Sequence, residues 1–236
     1  EHLRILALND INIELDEKEI DSWIRLTRVL THEIMNSVTP ITSLSDTLLS
    51  MVEDKDEEIS HGLQTISATG KGLLAFVESY RKFTRIPTPE PSLFYLKAFI
   101  ERMVELARHQ NPCDHITFHT KIDPADLILH ADENLISQVV INLLKNAIQA
   151  IGDQPDGQID IQVYCNETEE VLIEIKNNGP VIPPEIAEHI FIPFFTTKEG
   201  GSGIGLSISR QIMRLSGGIL TLLPYNKETK FILKFK

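Results

Sequence analysis

His32, Glu33 and Asn36 stand at positions i, i+1 and i+4 of the segment "TRVLTHEIMNSVTPI", residues 27–41. On a helix, Asn36 falls one turn beyond His32 on the same face, and Glu33 reaches Asn36 at i+3. An imidazole beside a carboxylate can serve as a nucleophile, because a carboxylate bonded to one ring nitrogen raises the reactivity of the other. A second set, Asn142, Lys145, Asn146 and Gln149, recurs at helical spacing in "NLLKNAIQA". Carboxamide oxygens are hard ligands that suit Mg²⁺, which keeps waters and commonly shares phosphate oxygens. A third set is rich in glycine: Gly179 in "IKNNGPVIP", and the run "GGSGIGLS" at 200–207. Glycines entering a helix leave free N–H groups and the positive end of its dipole to an anion. No G-K-[ST] follows, so the run is not a P-loop. Leu206 stands where a dinucleotide fingerprint would place its last glycine. Taken singly, each set also reads as a solvated polar face or an ordinary turn.

The elements that must carry these groups follow from periodicity. Ile20, Trp23, Thr27, Leu30, Ile34, Ser37, Ile41, Leu44, Leu48 and Met51 repeat at 3-4 spacing, the pattern of a packed helical seam. His32 lies two positions from Leu30 and from Ile34, which turns it about 160–200° away from that seam. Pro40 removes a backbone donor and crowds the carbonyl of Asn36, so a kink is expected there. A second helix continues the spacing through Ile59, Leu63, Ile66, Gly70, Leu73, Val77 and Tyr80. The two helices predict an antiparallel hairpin whose uncovered apolar face calls for a second copy, giving a four-helix bundle in a homodimer. Upstream the seam blurs, with Asn9 and Asp16 on it, and residues 1–19 read as part of an incoming signalling helix.

"RIPTPEPS" at 85–92 is proline-rich and predicts a boundary. The expected division is 20–86 for the hairpin, 87–92 for a linker and 93–236 for a second domain. In the latter, helices are predicted near 97–109, 132–150, 184–190 and 203–216. Strands are predicted near 116–122, 127–130, 159–165 and 171–177, with a hairpin at the end. Helices alternating with hairpin strands predict an α/β two-layer sandwich.

Bulk properties narrow the classes. The net charge of −12 argues against general binding of nucleic acid or anionic membrane. No apolar run approaches the roughly 20 residues of a membrane helix, so no direct membrane contact is expected. Cys113 and Cys165 lack metal-type spacing and fit a reducing, cytoplasmic setting. His115 and His119 alternate within a strand-like stretch, so they would not converge as helical metal ligands.

Together, "HEIMN", "NLLKNA", "NNGP" and "IFIPFFTTKEGGSGIGL" resemble, in order and spacing, the motifs of the sensor histidine kinases of two-component systems. The resemblance covers residues 25 to 236. It implies a dimeric phosphoacceptor hairpin followed by an ATP-binding domain of the kind shared with related ATPases, with ATP and Mg²⁺ as cofactors. It implies autophosphorylation of His32, with Glu33 as the base and Asn36 placed to orient a water for phosphate removal. Asn146 would hold Mg²⁺, with Asn142 and Lys145 near the phosphates. A mobile lid would run from Phe191 to Gly201 with Thr196, Thr197 and Lys198 at its centre. Ser202, Gly203, Ile204, Gly205 and Leu206 would follow, and Asn177 and Gly179 would lie at the adenine. The phosphoryl group would pass to an aspartate of a response-regulator receiver domain, in a cytoplasmic portion of a membrane-anchored sensor.

This chain departs from the family's D-x-G-x-G pattern, with Asn177 in place of the aspartate and Val181 in place of the second glycine. Losing the charge costs about 1–2 kcal/mol in the bond to adenine. The alternative reading is therefore an impaired kinase acting as a nucleotide-binding or regulator-sequestering scaffold. A second departure, Ser37 where a proline often stands, shifts the kink and leaves the His-Glu-Asn spacing intact. An ATPase that drives a conformational clamp is a third class, which would have no use for a solvent-facing His32.

Overall fold

The structure is a computed structural model that describes residues 34–51, 57–84, 86–110, 114–198, 201–225 and 228–236. The chain divides into two compact units, Glu1–Arg85 and Ile86–Lys236.

In the first unit α1 covers residues 34–51 and α2 covers Glu57–Thr84. Pro40 does not end α1. The two helices meet through small and hydroxylated residues. A Cβ on Gly70 would collide with Thr42 Oγ1, and Thr42, Ser45 and Ser67 are buried. Ser67 Oγ donates to Asp46 Oδ1 at 2.6 Å, and Lys71 Nζ lies 2.9 Å from Asp46 Oδ2. The larger apolar side chains lie elsewhere. Ile41, Leu44, Leu48 and Met51 of α1, with Ile59, Ile66 and Leu73 of α2, remain exposed in the single chain. Leu44 and Ser45 are one residue apart, hence about 100° apart around the helix, so one helix can carry both rows.

The second unit opens with β1 (Ser92–Tyr95), followed by α3 (Leu96–Gln110), β2 (Ile116–Asp123), β3 (Ile128–Ala131) and α4 (Glu133–Ile151). It continues with β4 (Gly157–Cys165), β5 (Val171–Asn177), α5 (Pro184–Ala187), α6 (Gly205–Leu215), β6 (Ile219–Tyr225) and β7 (Glu228–Phe235). β1 pairs antiparallel with β3, and the other strands form one sheet in the order β2-β4-β5-β7-β6. Among the described strands only the β2–β4 pair is parallel, and the crossover between them contains α4.

Alternation sets the faces. Ile159, Ile161 and Val163 of β4 turn inward with Ile173 and Ile175 of β5 and Phe231, Leu233 and Phe235 of β7. α4 packs on β4 and β5, α6 on β6, and the two helices on each other. On the intervening positions Lys176 pairs with Asp160 and Glu228, and Lys230 with Glu174. The result is a helical layer on a mixed sheet, the two-layer sandwich expected from the sequence.

α4 begins at a strong cap. Asp132 Oδ1 accepts from the backbone N–H groups of Asn134 and Leu135 at 3.0 and 3.1 Å. Its Oδ2 accepts from Glu90 N–H at 2.8 Å. The Glu90 bond, with the two helix amides, holds the Asp132 carboxyl below its ordinary pKa of 3.8. One side chain thus fixes both the start of α4 and the strand-bound end of the proline-rich stretch. Among the described residues, no helix is long and apolar enough to cross a membrane.

Candidate functional site

α4 positions the carboxamide row because its opposite face is committed to the core. Leu143, Leu144, Ala147 and Ile148 are all buried, which leaves Asn142, Lys145, Asn146 and Gln149 toward a cleft of about 730 Å³. That cleft also takes in Asn177, Thr196, Thr197, Lys198, Gly201, Ser202, Gly203, Gly205 and Leu206. Twelve candidates separated by up to 64 positions in the chain therefore share one wall system, counted as Asn142, Lys145 and Asn146 with those nine.

Two candidates stand just behind it. Gly179 sits against the backbone of Ala150 and donates its N–H to Asn177 Oδ1 at 3.1 Å. Ile204 is buried and precedes α6 as its N-cap residue. Of the hairpin candidates, Asn36 is exposed on α1. His32 and Glu33 lie outside the described residues.

The spacing of residues 142–149 did not reveal the other end of the cleft. Ile182, Ile186, Ile190 and Phe231 line it, together with Phe195 and Thr229. They come from the segment after β5 and from β7, and only the i, i+2 alternation of Thr229 and Phe231 within β7 hints that they share a face.

The loop from α5 to α6 is pinned at its stem. Phe194 N–H donates to Gly203 O at 2.9 Å, and both residues adopt positive φ, 68° and 65°. A Cβ on Gly203 would lie 2.5 Å from the Phe194 carbonyl carbon, so a larger residue there is excluded by packing as well as by φ. Gly205 presses against Asn142 Oδ1, while Asn142 Nδ2 donates to Ser209 Oγ at 3.0 Å. Gly205 thus serves the join between α4 and α6, and Gly203 the closure of the loop on Phe194.

The polar end suits an anion. α6 starts at Gly205 with no side chain capping it, so its first N–H groups are open to a ligand at the positive end of the helix dipole. Lys145 and Lys198 line the cleft, and among its described lining residues there is no Asp or Glu. Lys198 Nζ donates to Gln149 Oε1 at 2.8 Å. Lys198 keeps an exposed surface, but burial around its ammonium and then repulsion from Lys145 lower its pKa from the ordinary 10.5. Asn146 is half-buried and lines the cleft.

Among the described residues no cluster of His, Cys, Asp or Glu is placed to hold a metal on its own. A hard cation here would take the carboxamide oxygen of Asn146 together with oxygens of a bound phosphate, which is a set Mg²⁺ accepts. An apolar end, a buried carboxamide and a cationic, helix-fed polar end together fit a purine nucleoside triphosphate.

Residues 131–236 match the family model described as histidine kinase-, DNA gyrase B- and HSP90-like ATPase. The chain is 31% identical over 230 residues to the nitrogen regulation protein NtrY of Azorhizobium caulinodans, covering 94% of this chain and 29% of that protein. It thus spans under a third of the length of that relative. The catalytic domain of the histidine kinase ThkA is 37% identical, with a TM-score of 0.56, across 62% of this chain and 95% of that domain. ThkA solved in complex with the response regulator protein TrrA aligns over 98% of this chain and 67% of that chain, at 29% identity and a TM-score of 0.64. The motifs, the sheet order, the cleft and these likenesses agree, and the chain belongs to the sensor histidine kinase family.

Proposed function

We propose that the chain binds Mg·ATP in the cleft of the second unit, phosphorylates itself on His32 and passes the phosphoryl group to an aspartate of a response regulator. The observation that carries this reading is the charge of the cleft. In a chain of net charge −12, its described lining residues include two lysines and no carboxylate. An uncapped helix N-terminus opens on the same site, and such an arrangement favours polyphosphate.

Bound Mg·ATP would supply the transferable γ-phosphoryl group and a cation that offsets its charge. Lys145 and Lys198 would bind the phosphates, the N–H groups around Gly203, Gly205 and Leu206 would orient them, and Asn146 would ligate the metal. Thr196, Thr197, Gly201 and Ser202 would close over them as part of the lid. Asn177, held by Gly179, would meet the base. His32 would attack through one imidazole nitrogen while Glu33 holds the proton on the other. A nitrogen–phosphorus bond forms as the bond to the leaving ADP breaks, so the protein's task is mainly positioning and charge neutralisation. Asn36 would orient a water when the hairpin removes phosphate from the regulator. The ThkA–TrrA complex supports a receiver domain as partner.

The exposed apolar row on α1 and α2 supports a homodimer, since each such side chain gains about 1.5–3 kcal/mol when fully buried. Asn177 and Val181 favour one rival, an impaired kinase that binds nucleotide or sequesters its regulator without turning over. Incubation with γ-labelled Mg·ATP should give an acid-labile, base-stable phosphoprotein, and His32→Gln should abolish it. Labelling of that variant at the native level would exclude His32 as the acceptor.

A further inference from the structure

We propose that the base end of the cleft takes a 6-oxo purine, so that inosine or guanosine triphosphate binds about as well as ATP. The inference rests on the nucleotide-site reading above and names the substrate class of that site. Asn177 closes β5 and pairs in register with Thr229 of β7. Both are buried, at 3% and 4% exposure, and both line the cleft.

Among the described residues, the Asn177 side chain is held by one hydrogen bond, its Oδ1 accepting the Gly179 N–H at 3.1 Å. A backbone N–H requires an acceptor, so this bond fixes the sense of the carboxamide. One of the oxygen's two lone pairs is taken, the oxygen is turned toward Gly179, and the NH₂ is the group left to be offered to a ligand. A carboxylate in this position would satisfy Gly179 with one oxygen and still present a second acceptor. The carboxamide presents a donor instead.

Thr229 complements it. Its hydroxyl lies 3.4 Å from Pro180 O, a long contact toward which the O–H can point, and in that orientation its lone pairs face a ligand and can accept. The pair therefore offers a donor beside an acceptor. A 6-oxo purine presents the matching edge, with O6 accepting and N1–H donating. Adenine presents the reverse, a 6-amino donor beside an N1 acceptor, and would have to shift until N1 meets the Asn177 NH₂. Sites built from such buried polar groups discriminate through the group left unpaired.

The test is equilibrium binding of the Mg²⁺ complexes of ATP, ITP and GTP to the whole chain, followed by calorimetry. ITP is the decisive probe, because it changes the 6-position without adding the 2-amino group of guanine. The native chain is expected to bind ITP at least as tightly as ATP, or within about threefold, and Asn177→Asp should favour ATP over ITP by about tenfold or more. The native measurement decides by itself if the variant does not fold. Native preference for ATP over ITP by about tenfold or more would overturn the inference and leave the nucleotide site standing. Equal acceptance of ITP by native and Asn177→Asp would overturn the assignment to Asn177. Failure of every nucleotide to bind either form would overturn the site itself.

Discussion

Lys198 sits in the cleft with its ammonium on Gln149 and within the repulsive reach of Lys145. Its pKa lies below the ordinary 10.5, first from burial and then from Lys145. A bound polyphosphate favours the charged form, so binding takes up a proton wherever Lys198 is partly neutral. Nucleotide affinity is therefore expected to fall as pH rises, starting below the range where an ordinary lysine titrates. Lys198→Gln should bind more weakly and lose that part of the slope, as dissociation constants across pH will show. A native slope unchanged by the substitution would contradict the assignment. Since Lys198 is exposed, the effect should shrink as salt is added. Helical spacing made Asn142, Lys145, Asn146 and Gln149 legible as one polar face, whereas Lys198, in the loop, was reached only through the family resemblance. The sequence could not show that Asn142 bonds Ser209, or that Gly205 presses on Asn142, since both contacts bridge helices 60 or more positions apart in the chain.

At the scale of the element, α4 is the beam on which the polar wall hangs, and Asp132 fixes its first turn. Asp132→Ala removes two helix-capping bonds and the acceptor for Glu90 N–H. A lost cap costs about 0.5–2 kcal/mol, and the Glu90 contact places the loss toward the upper end. Denaturant unfolding should show a lowered midpoint at an unchanged slope, whereas an unaltered midpoint would contradict the capping role. Acid should act through the same group. The Asp132 pKa is depressed in the fold, so its contribution is complete above the ordinary value of 3.8 and is lost as pH falls through the lower folded value. Periodicity made α3, α4, α6 and most strands legible to within a few residues. β1 was not expected. It spans four residues directly after Pro91 and gains its partner, β3, only through a connection that contains α3 and β2. The helix expected near 184–190 is shorter, Pro184–Ala187, and turns follow it.

Across the whole molecule, the two units solve different packing problems. The second buries its apolar residues between helices and sheet, while the hairpin leaves Ile41, Leu44, Leu48 and Met51 exposed on α1. The heptad-like spacing made that row legible. Which neighbour each helix faces was not, because Thr42 and Gly70 must approach closely to be recognised as a contact. Ile41→Glu with Leu44→Glu should convert a dimer to monomer in sedimentation equilibrium, and a native chain that is monomeric at high concentration would contradict the bundle. The cleft was legible as three motifs, "NLLKNA", "NNGP" and "IFIPFFTTKEGGSGIGL", but not as a place, since its apolar lining comes from segments with no spacing relation to α4. The central claim is that this cleft, with Asn177 where the family carries an aspartate, still delivers phosphate to His32. The direct measurement is phosphohistidine formation at saturating Mg·ATP in the native chain beside Asn177→Asp and His32→Gln. Label on the native chain and on Asn177→Asp, absent from His32→Gln, is the expected result. A native chain that stays unlabelled while Asn177→Asp labels would contradict the claim and establish the impaired, nucleotide-binding scaffold instead.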